Sequence, residues 1–99
     1  MSPTIITSRT IRLEGPLDVT HAARLRERLG AELTSSDDDV ALDLSNVNLI
    51  DSAGLGVLVW AQRLADGLGA RLRIMAPMPR VERVLEITRV ARMLELVPA

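Results

Sequence analysis

Residues 42–59 read LDLSNVNLIDSAGLGVLV, and the hydrophobic period changes partway along them. Val40, Leu42 and Leu44 recur at every second position, the period of a strand, and Ala41 between them is small enough to lie under a packed helix. A loop from Ser45 to Asn48 follows, and from Leu55 to Leu68 the chain is apolar around most of a helix's circumference. The central unit therefore reads strand, loop, helix.

The same unit recurs on both sides. Upstream, Ile11 and Leu13 alternate with Arg12 and Glu14 until Gly15-Pro16 stops the strand, and Ile5 and Ile6 start an earlier one. After Asp18, Ala22, Leu25, Leu29 and Leu33 fall at helical spacing, with Arg24, Arg26, Glu27, Arg28 and Glu32 on the wet side. Downstream, Arg71 to Ala76 alternates through Leu72 and Ile74, Pro79 suits the first turn of a helix, and Val81, Val84, Leu85 and Thr88 give that helix an apolar face. Met93, Leu94, Leu96 and Val97 are expected to form a last strand. The predicted order is β-β-α-β-α-β-α-β in one domain spanning residues 1–99, an α/β architecture with some parallel pairing.

Composition narrows the function. Leu, Val and Ile number 16, 9 and 6 while Trp60 is the sole aromatic residue, so the core is aliphatic. With 47% apolar residues and a formal charge of -1, the 99-residue chain is expected to fold. All twelve basic residues are Arg; without lysine there is no Walker A ATPase and no Schiff-base chemistry. Without cysteine there is no thiolate metal site or cysteine nucleophile. Nucleic-acid binding is not expected, because neither clustered cations nor stacking aromatics are present. No run reaches the roughly 18 to 20 apolar residues of a membrane span, and the N-terminus lacks a leader's basic-then-apolar pattern, so membrane insertion is not expected and the location is read as cytoplasmic.

Local rules are broken at Asp51-Ser52-Ala53-Gly54-Leu55-Gly56, where two glycines stand at a helix entrance at a cost of about 1 kcal/mol each relative to Ala. Glycine there permits close approach of a neighbouring element or ligand. Asp51 and Ser52 are both good N-caps. A strand-to-helix turn would place the Ser52 hydroxyl at the sheet rim, near unpaired N–H groups and the positive end of the helix dipole, a place suited to an anion. A phosphate on that oxygen would add about -1.5 to -2 charge at pH 7, with Asp51 sharpening the repulsion.

The segment LDLSNVNLIDSAGLGVLV resembles the signature of the STAS domain, specifically the bacterial anti-sigma factor antagonists. IRLEGPLD at Ile11 to Asp18 resembles that family's strand and acidic turn before the first helix, and RIMAPMPRVERVLEITRV resembles its proline-bearing turn and third helix. The resemblance implies a mixed β-sheet of four to five strands with helices mainly on one face. It implies that Ser52 is phosphorylated by a partner that is both serine kinase and anti-sigma factor, with ATP held on the partner. It further implies that the unphosphorylated form binds this partner and releases a sigma factor, and that a serine phosphatase restores it. Asp18, Asp51, Gly54, Leu55 and Gly56 are then the expected partner-binding residues, and no catalytic residue, cofactor or metal is expected. Ala53 stands where the family often has Ser or Thr, and Arg89 where a glycine is common. Many relatives continue into another helix where this chain stops, and whether another chain covers the sheet face there stays open.

Other readings compete. A STAS subunit of a lipid-importing ABC system would clamp an ATPase subunit and need no phosphoserine. A serine hydrolase would need His21, the one imidazole, as base for Ser52, but no G-x-S-x-G elbow is present. Asp37-Asp38-Asp39 is read as solvated strand termination, Asp18 as the N-cap of the first helix, and Arg71, Arg73, Arg80 and Arg83 as a wet face. Trp60 is read as core or core edge; alternatively, its helix leaves one stripe free for a partner helix or a second copy in a homodimer.

Overall fold

A computed structural model describes residues 8–35 and 39–97. Strand β1 (Ser8–Glu14) leads to helix α1 (Val19–Thr34), β2 (Asp39–Asn46) to α2 (Ser52–Leu68), and β3 (Leu72–Met75) to α3 (Pro79–Ile87). A 3-10 turn at Val90–Met93 then precedes β4 (Glu95–Val97). The described order is thus β-α-β-α-β-α-β; the expected strand at Ile5 and Ile6 lies outside the described residues. Ser45 and Asn46 extend β2 rather than opening a loop, and Met93 belongs to the 3-10 turn rather than to the last strand.

The sheet order is β1-β2-β3-β4, and every described pair is parallel where a mixed sheet is expected. Each crossover carries one helix and advances one strand in the same direction. Right-handed connections of that kind stack all the helices on a single face. The side-chain pattern agrees: Ile11, Leu42 and Ile74 share a row with Leu96, and Ile11, Leu13, Val40, Leu42, Leu44, Leu72 and Ile74 are all buried. Leu25, Leu29 and Leu33 from α1, Leu58, Ala61 and Ala65 from α2, and Val81 and Leu85 from α3 close the core over them.

The opposite sheet face is polar. Arg12 pairs with Asp43 at 3.4 Å, and Glu95 pairs with Arg73 at 3.4 Å and with Arg71. The Ser45 N–H donates to Asp43 at 2.8 Å and, with Arg12 beside it, holds that carboxyl below the usual aspartate value. Asp39 accepts the Arg71 N–H at 3.1 Å and so fixes the start of β2; Asp37 and Asp38 lie outside the described residues. Arg71 and Arg73 are therefore paired, whereas Arg80 and Arg83 are simply exposed.

Candidate functional site

Pairing between the first two strands does not stop at their ends. Gly15 N–H donates to the Asn46 carbonyl, Leu17 N–H to the Leu49 carbonyl at 2.9 Å, and Asp51 N–H to the Leu17 carbonyl at 3.2 Å. The β1–α1 and β2–α2 connections thus run side by side and set the starts of α1 and α2 next to each other. Closeness has a steric condition: a Cβ on Gly54 would lie 2.1 Å from the Leu17 carbonyl oxygen. Only glycine fits there, so its cost in helix propensity is offset by the approach of two backbones. Gly54 lies inside α2, which begins at Ser52 and not at Leu55.

Two carboxylates organise the helix starts. Asp51 Oδ1 accepts from Ala53 N at 2.8 Å and Gly54 N at 3.1 Å, while its Oδ2 accepts from Val19 N, the first residue of α1, at 3.1 Å. Asp18 Oδ1 caps α1 through Thr20 N and His21 N, and it meets the His21 ring Nδ1 at 2.7 Å. The His21 ring, and then the backbone N–H groups, hold the Asp18 carboxyl below its ordinary value. His21 is thereby engaged by Asp18, not by the serine.

Ser52 is the first residue of α2 and is exposed, and its hydroxyl makes no hydrogen bond to any described residue. The expectation of several unpaired N–H groups around it is narrowed to that of Ser52 itself: Asp51 Oδ1 takes those of Ala53 and Gly54, and the Asp51 carbonyl takes that of Leu55 at 2.9 Å. An anion on Ser52 would therefore find little internal cradle and would stand in solvent beside the Asp51 carboxylate. Gly54 and Leu55, expected at a partner surface, are both buried. Gly56 is exposed, and a Cβ there would meet nothing within 4 Å. Val19 at the start of α1 and Leu49 on the β2–α2 connection add exposed apolar surface.

Sequence reasoning missed three features of this end. Asp51 was read as the cap of one helix and serves two. Trp60, half-buried, lies across Gly30, where a Cβ would sit 3.2 Å from its ring, and Arg26 lies 4.7 Å above the ring centroid. The recurrence of Ala22, Arg26 and Gly30 every fourth residue is the signal that could have found this second face of α1. Among the described residues no three His, Asp or Glu side chains converge as a metal site, and no helix is long and apolar enough to cross a membrane.

Fold and site together define a parallel α/β domain that presents one uncommitted serine at the tied starts of two helices. A family model described as Mlab, STAS domain matches residues 7–98. The chain belongs to the STAS domain family. It is 32% identical over 78 residues to the anti-sigma-B factor antagonist of Bacillus subtilis (strain 168), which covers 79% of this chain and 71% of that protein. Among solved structures, a putative anti-sigma factor antagonist from Thermotoga maritima superposes with a TM-score of 0.81 at 27% identity, over 98% of this chain and 86% of that one. The unphosphorylated anti-sigma factor antagonist SpoIIAA shares the fold at a TM-score of 0.69 and 17% identity, over 99% of this chain and 86% of that one.

Proposed function

We propose that this chain is a cytoplasmic, non-enzymatic anti-sigma factor antagonist whose Ser52 is the phosphoacceptor of a serine-kinase anti-sigma factor. The observation that carries the reading is the exposed Ser52 hydroxyl, free of any hydrogen bond to a described residue, on a helix start held rigid by Asp51 and Gly54. Likeness to anti-sigma-B factor antagonists supports it.

In the transfer, Ser52 Oγ bonds the γ-phosphorus of ATP held by the partner, the bond to the β–γ bridging oxygen breaks, and ADP leaves. No described side chain is hydrogen-bonded to Ser52 Oγ, so the base that takes its proton is assigned to the partner. The product adds a phosphate anion next to the Asp51 carboxylate. Repulsion and desolvation then oppose a partner surface that fits the unmodified serine. Asp18 and Gly56 flank the contact, Gly54 and Leu55 support it, and a serine phosphatase reverses it.

Intact-mass analysis after incubation with ATP and the candidate anti-sigma factor tests the assignment, beside Ser52→Ala. One added phosphate, absent from the variant, is expected. An unmodified wild type that copurifies with an ATP-binding cassette subunit would instead support the transport-subunit reading.

A further inference from the structure

Beyond Ser52, α1 and α2 line an open groove of about 420 Å³. Ala22 and Ala23 from α1 face Ala53 and Gly56 from α2, and Trp60 with Arg26 closes the far end. Ala53 to Trp60 is seven residues, so the groove runs about 10 Å, or two helical turns. Two helices started side by side present a trough into which the ridge of a third can pack.

Gly56 is the telling residue. It costs about 1 kcal/mol against Ala within a helix. Gly54 repays a similar cost through Leu17, but at Gly56 no described group outside its own stretch of helix comes within 4 Å of the Cβ position. Its small size therefore serves no contact inside the described structure. Arg26 is the one charged residue of the groove, exposed, stacked on Trp60, and without a carboxylate partner among the described residues. An apolar floor ending in one unpaired cation is complementary to a helix that carries small apolar residues and a carboxylate.

We infer that this groove receives one amphipathic helix of the anti-sigma factor, its small residues against Gly56 and its carboxylate on Arg26. The inference rests on the reading of Ser52 given above, and it names the part of the partner that the Ser52 switch controls. Ala53 lines the groove and follows Ser52, so the phosphoacceptor lies one residue from the groove's edge.

The test uses the full chain labelled with 5-fluorotryptophan, which gives a single ¹⁹F resonance, titrated with the unlabelled kinase that phosphorylates Ser52. The Trp60 resonance is expected to shift in the complex. Gly56→Leu, which fills the groove and improves helix propensity, is expected to fold and to lose at least tenfold in affinity. Arg26→Glu is expected to lose at least tenfold as well, and it decides the matter alone should Gly56→Leu fail to fold. An unmoved resonance at saturation, or wild-type affinity in a folded Gly56→Leu or Arg26→Glu protein, overturns the groove while leaving the Ser52 reading intact. If no kinase modifies or binds the wild type, both fall.

Discussion

The Asp51 carboxylate reaches across to the first amide of α1, its Oδ2 accepting the Val19 N–H at 3.1 Å while Oδ1 caps α2. One side chain therefore joins two helix starts that stand 33 residues apart in sequence. Asp51→Ala leaves the amides of Val19, Ala53 and Gly54 without this acceptor. Loss of an N-cap costs about 0.5–2 kcal/mol, and losing the Val19 link puts the expectation at the upper end, about 2 kcal/mol. For a domain of this size that is a fall of about 10 °C in Tm, measurable by thermal circular dichroism. Asp51→Asn keeps one acceptor oxygen and should lose about half as much. A neutral Asp51→Ala would show that the helix starts are held by the backbone ladder alone.

Gly54 and Gly56 are separated by one residue and should respond oppositely to the same methyl group. At Gly54 the new Cβ would meet the Leu17 carbonyl oxygen at 2.1 Å, and backbone cannot retreat as a flexible side chain can. Gly54→Ala is expected to destabilise by about 2–3 kcal/mol, the upper range for overpacking. Gly56→Ala meets open space and should stabilise by up to about 1 kcal/mol through helix propensity. Urea denaturation of the two proteins checks the difference in sign.

Much of this was legible in the sequence because periodicity and punctuation act locally. The alternation through Leu42 and Leu44, the apolar helix from Leu55 and the proline at position 79 each place an element by its own chemistry. The start of α2 was harder to read: glycine propensity argues against a helix at Gly54, and the contact that repays it comes from Leu17, 37 residues earlier. The second role of Asp51 was hidden for the same reason, since only the parallel register of β1 on β2 brings Val19 to it. Ser52 was identified from motif and resemblance, but the occupied amides around it follow from Asp51 geometry that no local pattern encodes. Met93 was misassigned because its apolar character says nothing of the 3-10 turn that follows the left-handed Arg89.

Arg89 has φ of 64°, in the left-handed region where a β-carbon crowds the following carbonyl. Its N–H donates to Glu86 O and its carbonyl accepts from Arg92 N, so the turn is fixed on both sides and the strain is retained. Arg89→Gly should relieve about 1–2 kcal/mol of local cost and return part of it as extra entropy in the unfolded chain, for a net gain of about 0.5 kcal/mol or more. Gly69, at φ of 73° as the C-cap of α2, is the converse control: Gly69→Ala should lose about 1 kcal/mol. Denaturation midpoints falling in the opposite order would contradict this account.

Three carboxyls, Asp18, Asp43 and Glu95, are held below their ordinary values by His21, Ser45 and Arg71 respectively. A carboxyl depressed in the folded state contributes stability that is present above its unfolded pKa and lost as pH falls through the folded pKa. The domain should therefore lose urea resistance on the acid side of about pH 4, the ordinary carboxylate range. His21→Ala removes the largest cause acting on Asp18, so its midpoint should fall less steeply with acid than the wild type's. Identical slopes would mean that the His21–Asp18 contact does not contribute.

Phosphorylation should leave the fold nearly untouched while changing its affinity, because the Ser52 hydroxyl is bonded to no described residue and the amides of Ala53, Gly54 and Leu55 are already taken. A negative charge at the first turn gains about 0.3–1 kcal/mol from the helix dipole, and repulsion from Asp51 offsets part of that. Ser52→Asp should thus differ from wild type by no more than about 0.5 kcal/mol, the usual range for surface substitutions. Affinity for the kinase should fall at least tenfold, a loss of about 1.4 kcal/mol, while Ser52→Ala keeps wild-type affinity. A carboxylate is smaller and less charged than a phosphate, so the phosphorylated protein should bind more weakly still. Calorimetry on all four forms gives the order, and equal affinities would remove Ser52 from the switch.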